Sequence, residues 1–327
     1  MFLHMRMLRR PPAGSLLVAV ILGAAAAGCG SGGGGDVRRS PSEPRAALLP
    51  PQRTEVTGAF WDGKIVVVAG LLRNDTPSAQ VDFYDPGTDH WSLGPRLPVP
   101  LHHTAVGVLG GRLYVVGGYT GTAGNWRPVA DVHSLGPGED AWRPEPPLAG
   151  PRGALAVAAL DDALVAVGGV GNGPEVLTEV LRPGASAWER GPDLPNPSEH
   201  LAATAAGGRA YAIAGRYRTL EGNLDTVFSF SPGERTWRKE PSLRRSRGGI
   251  GAAAPAGRPC VAGGEAPDGT IASVECLVDG RWRDVATLAV PRHGVAVVAV
   301  GRTLHVIGGG PQPGLFVSDA HEAFELS

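Results

Sequence analysis

Short apolar runs that end in glycine recur along the chain. The run LYVVGG at residues 113–118 has four residues suited to a buried strand, followed by two glycines. Glycine weakens a strand, so a pair at the end of one should have a structural reason. Five other runs share the pattern, and the final glycines of the six are Gly70, Gly118, Gly169, Gly215, Gly264 and Gly309.

The spacing of these glycines predicts the architecture. Successive members lie 45 to 51 residues apart. A period of about 40–50 residues is typical of propeller arrays, in which each repeat forms one small sheet. The repeat therefore predicts six units of similar build.

Each unit predicts four antiparallel strands, which we label a to d. In the second unit a Gly-Arg turn joins strand a to strand b, and a Pro-Gly turn precedes strand d. Strand b is apolar on both faces, whereas a strand with one face in water should alternate, so each sheet is predicted to pack between two others. A tryptophan at the start of strand d is predicted to pack between sheets, at Trp91, Trp142, Trp188, Trp237 and Trp282.

These features together resemble kelch repeats: the apolar strand b with its glycines, the Tyr-Asp-Pro-Gly turn at residues 84–87, and the spaced tryptophans. The resemblance covers about residues 45–327 and implies one all-β domain, a six-bladed kelch-type β-propeller. The sixth unit ends in strand c, so we expect residues 42–48 to supply its missing strand. This N-terminal strand would close the ring and protect its edges.

The first 44 residues predict export. A basic stretch precedes an apolar core at residues 15–27, and Ala-Ala-Gly-Cys at 26–29 resembles a lipobox. We predict a lipoprotein-type signal peptide at 1–28, lipidation of Cys29 and a flexible tether at 29–44. The protein would lie in the cell envelope, periplasmic or at the cell surface, and only its lipid would hold it to a membrane. Signal cleavage without lipidation is the alternative.

Composition and charge limit the kinds of partner and cofactor that we expect. The net charge of −1 gives no support for nucleic-acid binding, and we expect a monomer without a cofactor. In an antiparallel hairpin Cys260 would face Cys276, and an exported chain could join them in a disulfide. Two buried free thiols are the alternative.

One face of the propeller is the predicted binding face. The b–c and d–a connections share this face, which we call the loop face, and the b–c loops at 119–130 and 216–225 are the longest. Four units place an arginine seventeen residues before the final glycine, and we predict that these arginines rim the central opening. The candidate ligand-binding residues are Arg53, Arg152, Arg247 and Arg292, with Trp126, Arg127, Arg216, Tyr217 and Arg218 from the loops. A purely structural role for the four repeated arginines is the alternative.

The resemblance favours a non-enzymatic module that binds a protein segment or a glycan, possibly an acidic one. In kelch-type substrate adaptors, arginines at this repeat position contact acidic peptides. A carbohydrate enzyme like the sialic-acid mutarotases, without assignable catalytic residues, is one alternative, and a structural surface protein is another. We predict no metal site, because His102 and His103 point to opposite faces of a strand. His200 occupies the same repeat position as His103, but their blades are not adjacent.

Overall fold

Consecutive antiparallel sheets build the chain from its first strand to its last. This computed structural model describes residues 46–173 and 175–326. Among the described residues, five sheets have four strands, a sixth has three, and two short ribbons in b–c loops have two each. Within the six larger sheets the strands lie side by side in the order a to d, and the sixth ends at strand c. All described residues belong to one structural unit, Ser42–Ser327.

The first three sheets form blades 1 to 3. Blade 1 contains β1 (Thr57–Trp61), β2 (Lys64–Val68), β3 (Val81–Asp85) and β4 (His90–Leu93). Blade 2 contains β5 (Ala105–Leu109), β6 (Arg112–Val116), β7 (Tyr119–Thr120), β8 (Arg127–Pro128), β9 (Val132–Leu135) and β10 (Arg143–Glu145). Here β7 and β8 form a separate ribbon within the b–c loop. Blade 3 contains β11 (Ala156–Leu160), β12 (Ala163–Val167), β13 (Thr178–Leu181) and β14 (Glu189–Arg190).

The second half of the chain forms blades 4 to 6. Blade 4 contains β15 (Ala202–Ala206), β16 (Arg209–Ile213), a 3₁₀ helix (Leu220–Gly222), β17 (Val227–Phe230) and β18 (Arg238–Glu240). Blade 5 contains β19 (Gly251–Ala253), a 3₁₀ helix (Pro255–Gly257), β20 (Cys260–Ala262), β21 (Glu265–Ala266), β22 (Gly269–Thr270), β23 (Ser273–Val278) and β24 (Arg281–Thr287). Blade 6 contains β25 (Ala296–Val300), β26 (Thr303–Ile307) and β27 (His321–Glu325).

The innermost strands close a ring. Strand a of each blade contacts strand a of the next, from β1 through β5, β11, β15 and β19 to β25, and β25 in turn contacts β1. Radial sheets around one axis are the arrangement of a β-propeller. The predicted six-bladed architecture is therefore confirmed.

The hydrophobic core is divided among the interfaces between blades. Six clusters of buried residues occur, one for each pair of neighbouring blades, and the pair formed by blades 6 and 1 is included. Strand b is buried on both faces, as predicted; in blade 3 every residue of β12 is buried. The strand-d tryptophans lie in these clusters and tie the blades together. The indole of Trp142, for example, donates to the carbonyl of Pro95 in the preceding blade at 2.9 Å.

The paired glycines are needed because the next blade approaches the end of strand b. At Gly168, which has φ +65°, a Cβ would lie 2.5 Å from the carbonyl oxygen of Ser198. The N–H of Gly169 donates to that same oxygen at 2.9 Å. The final glycine makes the equivalent bond at all six interfaces, which include the one from Gly309 to Arg53 across the closure. A side chain here would force the blades apart.

The N-terminal segment occupies the outer edge of blade 6. The N–H of Leu49 donates to Asp319 O at 2.9 Å, as a leucine does at the same place in every other blade. The Trp91 indole donates to Ala47 O at 2.7 Å, which is the bond that Trp142 makes to Pro95. Residues 46–48 of the predicted segment thus occupy the expected edge of blade 6, but they form no regular strand. Residues 42–45 of that segment lie outside the described residues.

Two cysteines of blade 5 face each other in the predicted register. Cys260 on β20 lies opposite Cys276 on β23, both side chains are fully buried, and a disulfide joins them. No helix in the described part of the chain is long and apolar enough to cross a membrane. The predicted signal peptide at 1–28, the tether at 29–44 and Cys29 lie outside the described residues.

Candidate functional site

A ring of backbone bonds surrounds the channel mouth on the loop face. In blades 2 to 6 the residue fifteen positions before the final glycine donates its N–H to the carbonyl of the equivalent residue in the preceding blade, at 2.7–3.3 Å. At the closure the N–H of Val56 donates to Gly294 O at 3.2 Å. All six residues at the fifteenth position before the final glycine have left-handed backbones, with φ between +50° and +64°. They are Glu55, His103, Ala154, His200, Gly249 and Gly294. Such φ values favour glycine, so the glutamate and the two histidines occupy strained positions.

A central cavity begins at this ring and follows the propeller axis. Its volume is about 390 Å³, and the six inner strands line it. The lining is dominated by small residues such as Gly58, Gly107 and Ala156. Small side chains leave the axis open, so the polar groups at the mouth face a cavity.

Three side chains of the ring meet above this cavity. His103 Nε2 lies 3.3 Å from Glu55 Oε2. The imidazole rings of His103 and His200 are 4.8 Å apart between centroids. Sequence reasoning gave no weight to this pair because blades 2 and 4 are not adjacent. That inference was wrong, since equivalent positions of all blades converge near the axis.

Further charged side chains lie next to Glu55, His103 and His200. His293 Nδ1 lies 3.2 Å from Glu55 Oε1. The guanidinium of Arg216 bridges two carboxylates of neighbouring blades, with Nε 3.3 Å from Glu199 Oε1 and Nη1 2.6 Å from Glu265 Oε1. Sequence analysis placed Arg216 on this face but missed its convergence with these carboxylates and with the histidines.

The protonation states follow from burial and charge. Burial acts to raise the pKa of Glu55, but His103 and His293 outweigh it and hold that pKa well below its usual range. Burial acts to lower the pKa of His293, but Glu55 and Glu265 outweigh it and raise that pKa. Burial dominates at His103 and lowers its pKa well below the usual value. The mouth thus holds an ionised Glu55 beside His293, whose protonated form it favours.

The four repeated arginines do not rim the opening, and this part of the prediction is corrected. Arg53, Arg152, Arg247 and Arg292 are at most 1% exposed. Each forms a salt bridge with a carboxylate on strand c of its own blade, and the partners are Asp82, Glu179, Glu275 and Glu322 respectively. A buried guanidinium that is already paired has no surface to offer a ligand. These contacts agree with the alternative stated above, a purely structural role for the four repeated arginines.

Without these arginines the mouth is not a cationic rim. Glu55, Glu199 and Glu265 are three carboxylates close to the axis, and Arg216 and His293 are the cationic side chains bonded to them. The three carboxylates therefore outnumber the two cationic side chains, Arg216 and His293, even when His293 is protonated. Such a mouth favours a cation over a carboxylate or phosphate.

The predicted loop residues lie at different depths. Trp126 is half-buried, and its indole packs on His102 with centroids 4.6 Å apart. Arg127 and Arg218 are exposed, and Tyr217 is 45% exposed. The Arg218 guanidinium carbon lies 5.2 Å from the centre of the Tyr217 ring. Sequence analysis missed Phe316 in the b–c loop of blade 6, which is 48% exposed.

Comparisons with known proteins agree with this fold. The family model described as Kelch motif matches residues 100–149 and 199–244. Kelch-like protein 34 of Homo sapiens is 32% identical over 105 residues, which are 30% of this chain and 16% of that protein. The influenza virus NS1A-binding protein homolog of Mus musculus is 38% identical over 69 residues, 21% of this chain and 11% of that protein.

A solved structure, Structure of YjhT, is similar over most of the chain. The TM-score is 0.72, and the match covers 84% of this chain and 95% of that one. At 15% identity this likeness shows the fold alone. The curated relatives are far longer than the segments they share with this chain, so their activities and partners do not transfer directly.

Proposed function

Because the chain is a kelch-repeat β-propeller, we propose that it is a non-enzymatic binding module that holds a segment of a partner protein on its loop face. Kelch propellers are typically protein-interaction modules. One similar protein, the mouse protein described above, is by its name a homolog of an influenza virus NS1A-binding protein. The closed ring supplies a rigid scaffold, and the b–c loops supply the variable surface.

The observation that supports this proposal is the surface chemistry of the b–c loops. Arg127 of blade 2, Tyr217 and Arg218 of blade 4, and Phe316 of blade 6 are all exposed. Within the described residues no salt bridge engages Arg127 or Arg218. Aromatic and arginine side chains are enriched at protein interfaces and supply most of their hot spots.

A structural detail argues against the sugar-acid alternative. That reading needs arginines at the central opening to meet a substrate carboxylate. The four repeated arginines are buried, and the guanidinium of Arg216 already contacts Glu199 and Glu265. We therefore propose no enzymatic activity.

Random-peptide display tests the module directly. Peptides are selected on the wild-type protein and then titrated against an Arg127→Glu/Arg218→Glu variant. The matched control is Arg235→Glu, an exposed arginine in a c–d turn on the opposite face. We expect the loop-face variant to weaken binding at least tenfold, because one anchor arginine alone is worth about 1–2 kcal/mol or more. The control should bind as wild type does.

Equal binding by both variants would contradict a protein site on the loop face. A glycan array probed with the same three proteins tests whether the ligand is a glycan. Binding to a glycan that is lost only in the loop-face variant would show that the loop face binds a glycan, not a protein segment. Anomer exchange of sialic acid, followed by NMR, tests the enzyme. Exchange that is catalysed by the wild type would overturn the non-enzymatic assignment.

We propose further that the module is exported and anchored through Cys29, on the sequence features of residues 1–29 alone. Metabolic labelling with radioactive palmitate should mark the wild type but not Cys29→Ser. Label retained in Cys29→Ser would rule out this anchor.

A further inference from the structure

We propose that Glu55, His103 and His200 form a binding site for one divalent first-row transition-metal ion of the Zn²⁺ class at the mouth of the central channel. The site lies on the propeller axis, at the base of the loop face. The site does not depend on the proposed protein partner.

The donor atoms are close enough to share an ion. One ligand atom from each of the three residues lies within 4.8 Å of the other two. Ligand atoms around a tetrahedral Zn²⁺ with bonds of about 2.0–2.1 Å stand about 3.3 Å apart. His103 Nε2 and Glu55 Oε2 already have that separation, at 3.3 Å. Small side-chain rotations of His200 would complete the set.

The chemistry of the donors selects the kind of metal. Two imidazoles and one carboxylate suit Zn²⁺, Co²⁺, Ni²⁺ or Cu²⁺, whereas Mg²⁺ and Ca²⁺ prefer shells made of oxygen atoms. Three protein ligands leave a fourth tetrahedral position for water or for a group of a bound partner. The open central cavity, which these same residues line, gives that position room.

Neighbouring side chains contact the proposed ligands and orient them, as they do in known metal sites. His103 Nδ1 lies 2.5 Å from His102 Nδ1, so the nitrogen remote from Glu55 has a partner. Glu55 Oε1 contacts His293 while its other oxygen faces His103. Outer-shell partners of this kind fix the orientation of ligating imidazoles and carboxylates.

Buried polar atoms beside the site provide an independent indication. The Nδ1 atom of His200, one of the three proposed ligands, is buried and has no hydrogen-bond partner among the described residues. Glu265 Oε2 is likewise buried without a hydrogen-bond partner there. Buried polar atoms are rarely left unpaired, and exceptions concentrate at functional and ion-binding sites.

The backbone strain at the ring supports the same conclusion. Blades 5 and 6 have glycine at this position, where φ is positive, but blades 1, 2 and 4 carry Glu55, His103 and His200 at φ of 50–52°. Non-glycine residues are disfavoured in this region and persist there only when the surrounding structure enforces it. The ligand role gives these three side chains a function that glycine could not perform.

Cobalt binding by the intact chain tests the site. Chelator-treated full-length protein, with its disulfide oxidised, is titrated with Co²⁺, and the visible absorption bands report inner-sphere binding. We expect one Co²⁺ per chain, displaced by Zn²⁺. The variants are His200→Gly, which the backbone should accept because glycine occupies this ring position elsewhere, and the near-isosteric Glu55→Gln. The matched control is His133→Gln, a half-buried histidine on β9, away from the axis.

His200→Gly and Glu55→Gln should each weaken Co²⁺ binding at least about 100-fold, since even outer-shell changes cost 10–100-fold. His133→Gln should bind as wild type does, and thermal unfolding should show that all variants are folded. Absence of stoichiometric Co²⁺ binding by the wild type would overturn the proposal. So would binding that survives both ligand variants. Neither result bears on peptide binding by Arg127 and Arg218, so the two proposals fail separately.

Discussion

At the scale of the residue, the buried arginines are the clearest case of charge used to build a blade. Arg152 contacts Glu179 on β13 and donates to Gly168 O at 2.8 Å. The pairing is consistent within the chain. Blades 2 and 4 lack the arginine, with Leu101 and Ser198 instead, and their strand-c positions carry His133 and Phe228 in place of the carboxylate. Arginine therefore occurs only where a carboxylate can neutralise it.

Breaking one of these pairs should be costly. Arg152→Ala leaves Glu179 charged and buried, and we expect a loss of about 3–5 kcal/mol in the free energy of unfolding, measured in urea. The double variant Arg152→Met/Glu179→Leu removes both charges and fills the space, so it should recover much of that loss. A double variant as unstable as Arg152→Ala would show that the charge left unpaired is not the cause.

The sequence reveals these arginines as a repeated position but not their burial. Each partner carboxylate lies about 30 residues further on, in strand c, and the two become neighbours only when the sheet forms. Spacing along the chain is the same for a rim arginine and for a buried one. The decisive fact is the direction of the side chain, which in the folded blade places each guanidinium against a carboxylate of strand c.

At the scale of the element, blade 6 contains a pair of buried histidines. His305 Nδ1 on β26 lies 2.9 Å from His321 Nε2 on β27, and His321 Nδ1 lies 3.1 Å from Ala47 O. Tyr84 and Trp91 of blade 1 pack against His321, and Asp89 and Arg292 are the charged groups that act on it. Burial lowers the pKa of both histidines to about 4. They are therefore neutral in the folded protein at neutral pH.

This pair should make the propeller sensitive to acid. In the unfolded chain both histidines titrate near pH 6.5, so between about pH 6.5 and 4 the unfolded state binds more protons. Their contribution is complete above pH 6.5 and declines as the pH falls. We expect about 2 kcal/mol to be lost for each histidine, about 4 kcal/mol for the pair, between pH 7 and 5, measured by urea unfolding. His305→Leu should flatten the pH dependence, and His90→Gln, at an exposed position, should not. Parallel curves for wild type and His305→Leu would contradict this.

The elements themselves were the most predictable part of the molecule. The apolar strand b recurs in all six blades, and the strand-d tryptophan recurs in five. Each of these features specifies local structure, and the copies agree with one another. The sequence predicted that another group approaches the paired glycines closely. It could not show which group this is. The assembled ring shows that it is the carbonyl that precedes strand a of the next blade.

At the scale of the whole molecule, ring closure decides which residues meet. Glu55, His103 and His200 are aligned in the repeat frame, fifteen residues before the final glycine, and that alignment was visible in the sequence. Whether two blades are adjacent does not determine the distance between these side chains. Inner strand ends converge on the axis, so equivalent positions in blades 2 and 4 touch across a small residue such as Ala154.

The same closure depends on a short N-terminal segment. Leu49 is 1% exposed, lies among Val56, Ile65 and Ile307, and takes the position that a connecting leucine takes at every other interface. Here, however, it joins the two ends of the chain. We expect Leu49→Ala to lower the free energy of unfolding by about 2–5 kcal/mol, as truncation of a buried leucine does elsewhere.

The neighbouring Leu48 provides the control, since its side chain is 55% exposed and Leu48→Ala should change stability by no more than about 0.5 kcal/mol. Hydrogen exchange should locate the effect, with protection lost first in β25, β26 and β27 of Leu49→Ala, because the outer edge of blade 6 is the part that the segment covers. Equal stability of the two variants, or protection lost evenly in all blades, would mean that the ring closes without this contact. The ring would then rest on the inner strands β25 and β1 alone.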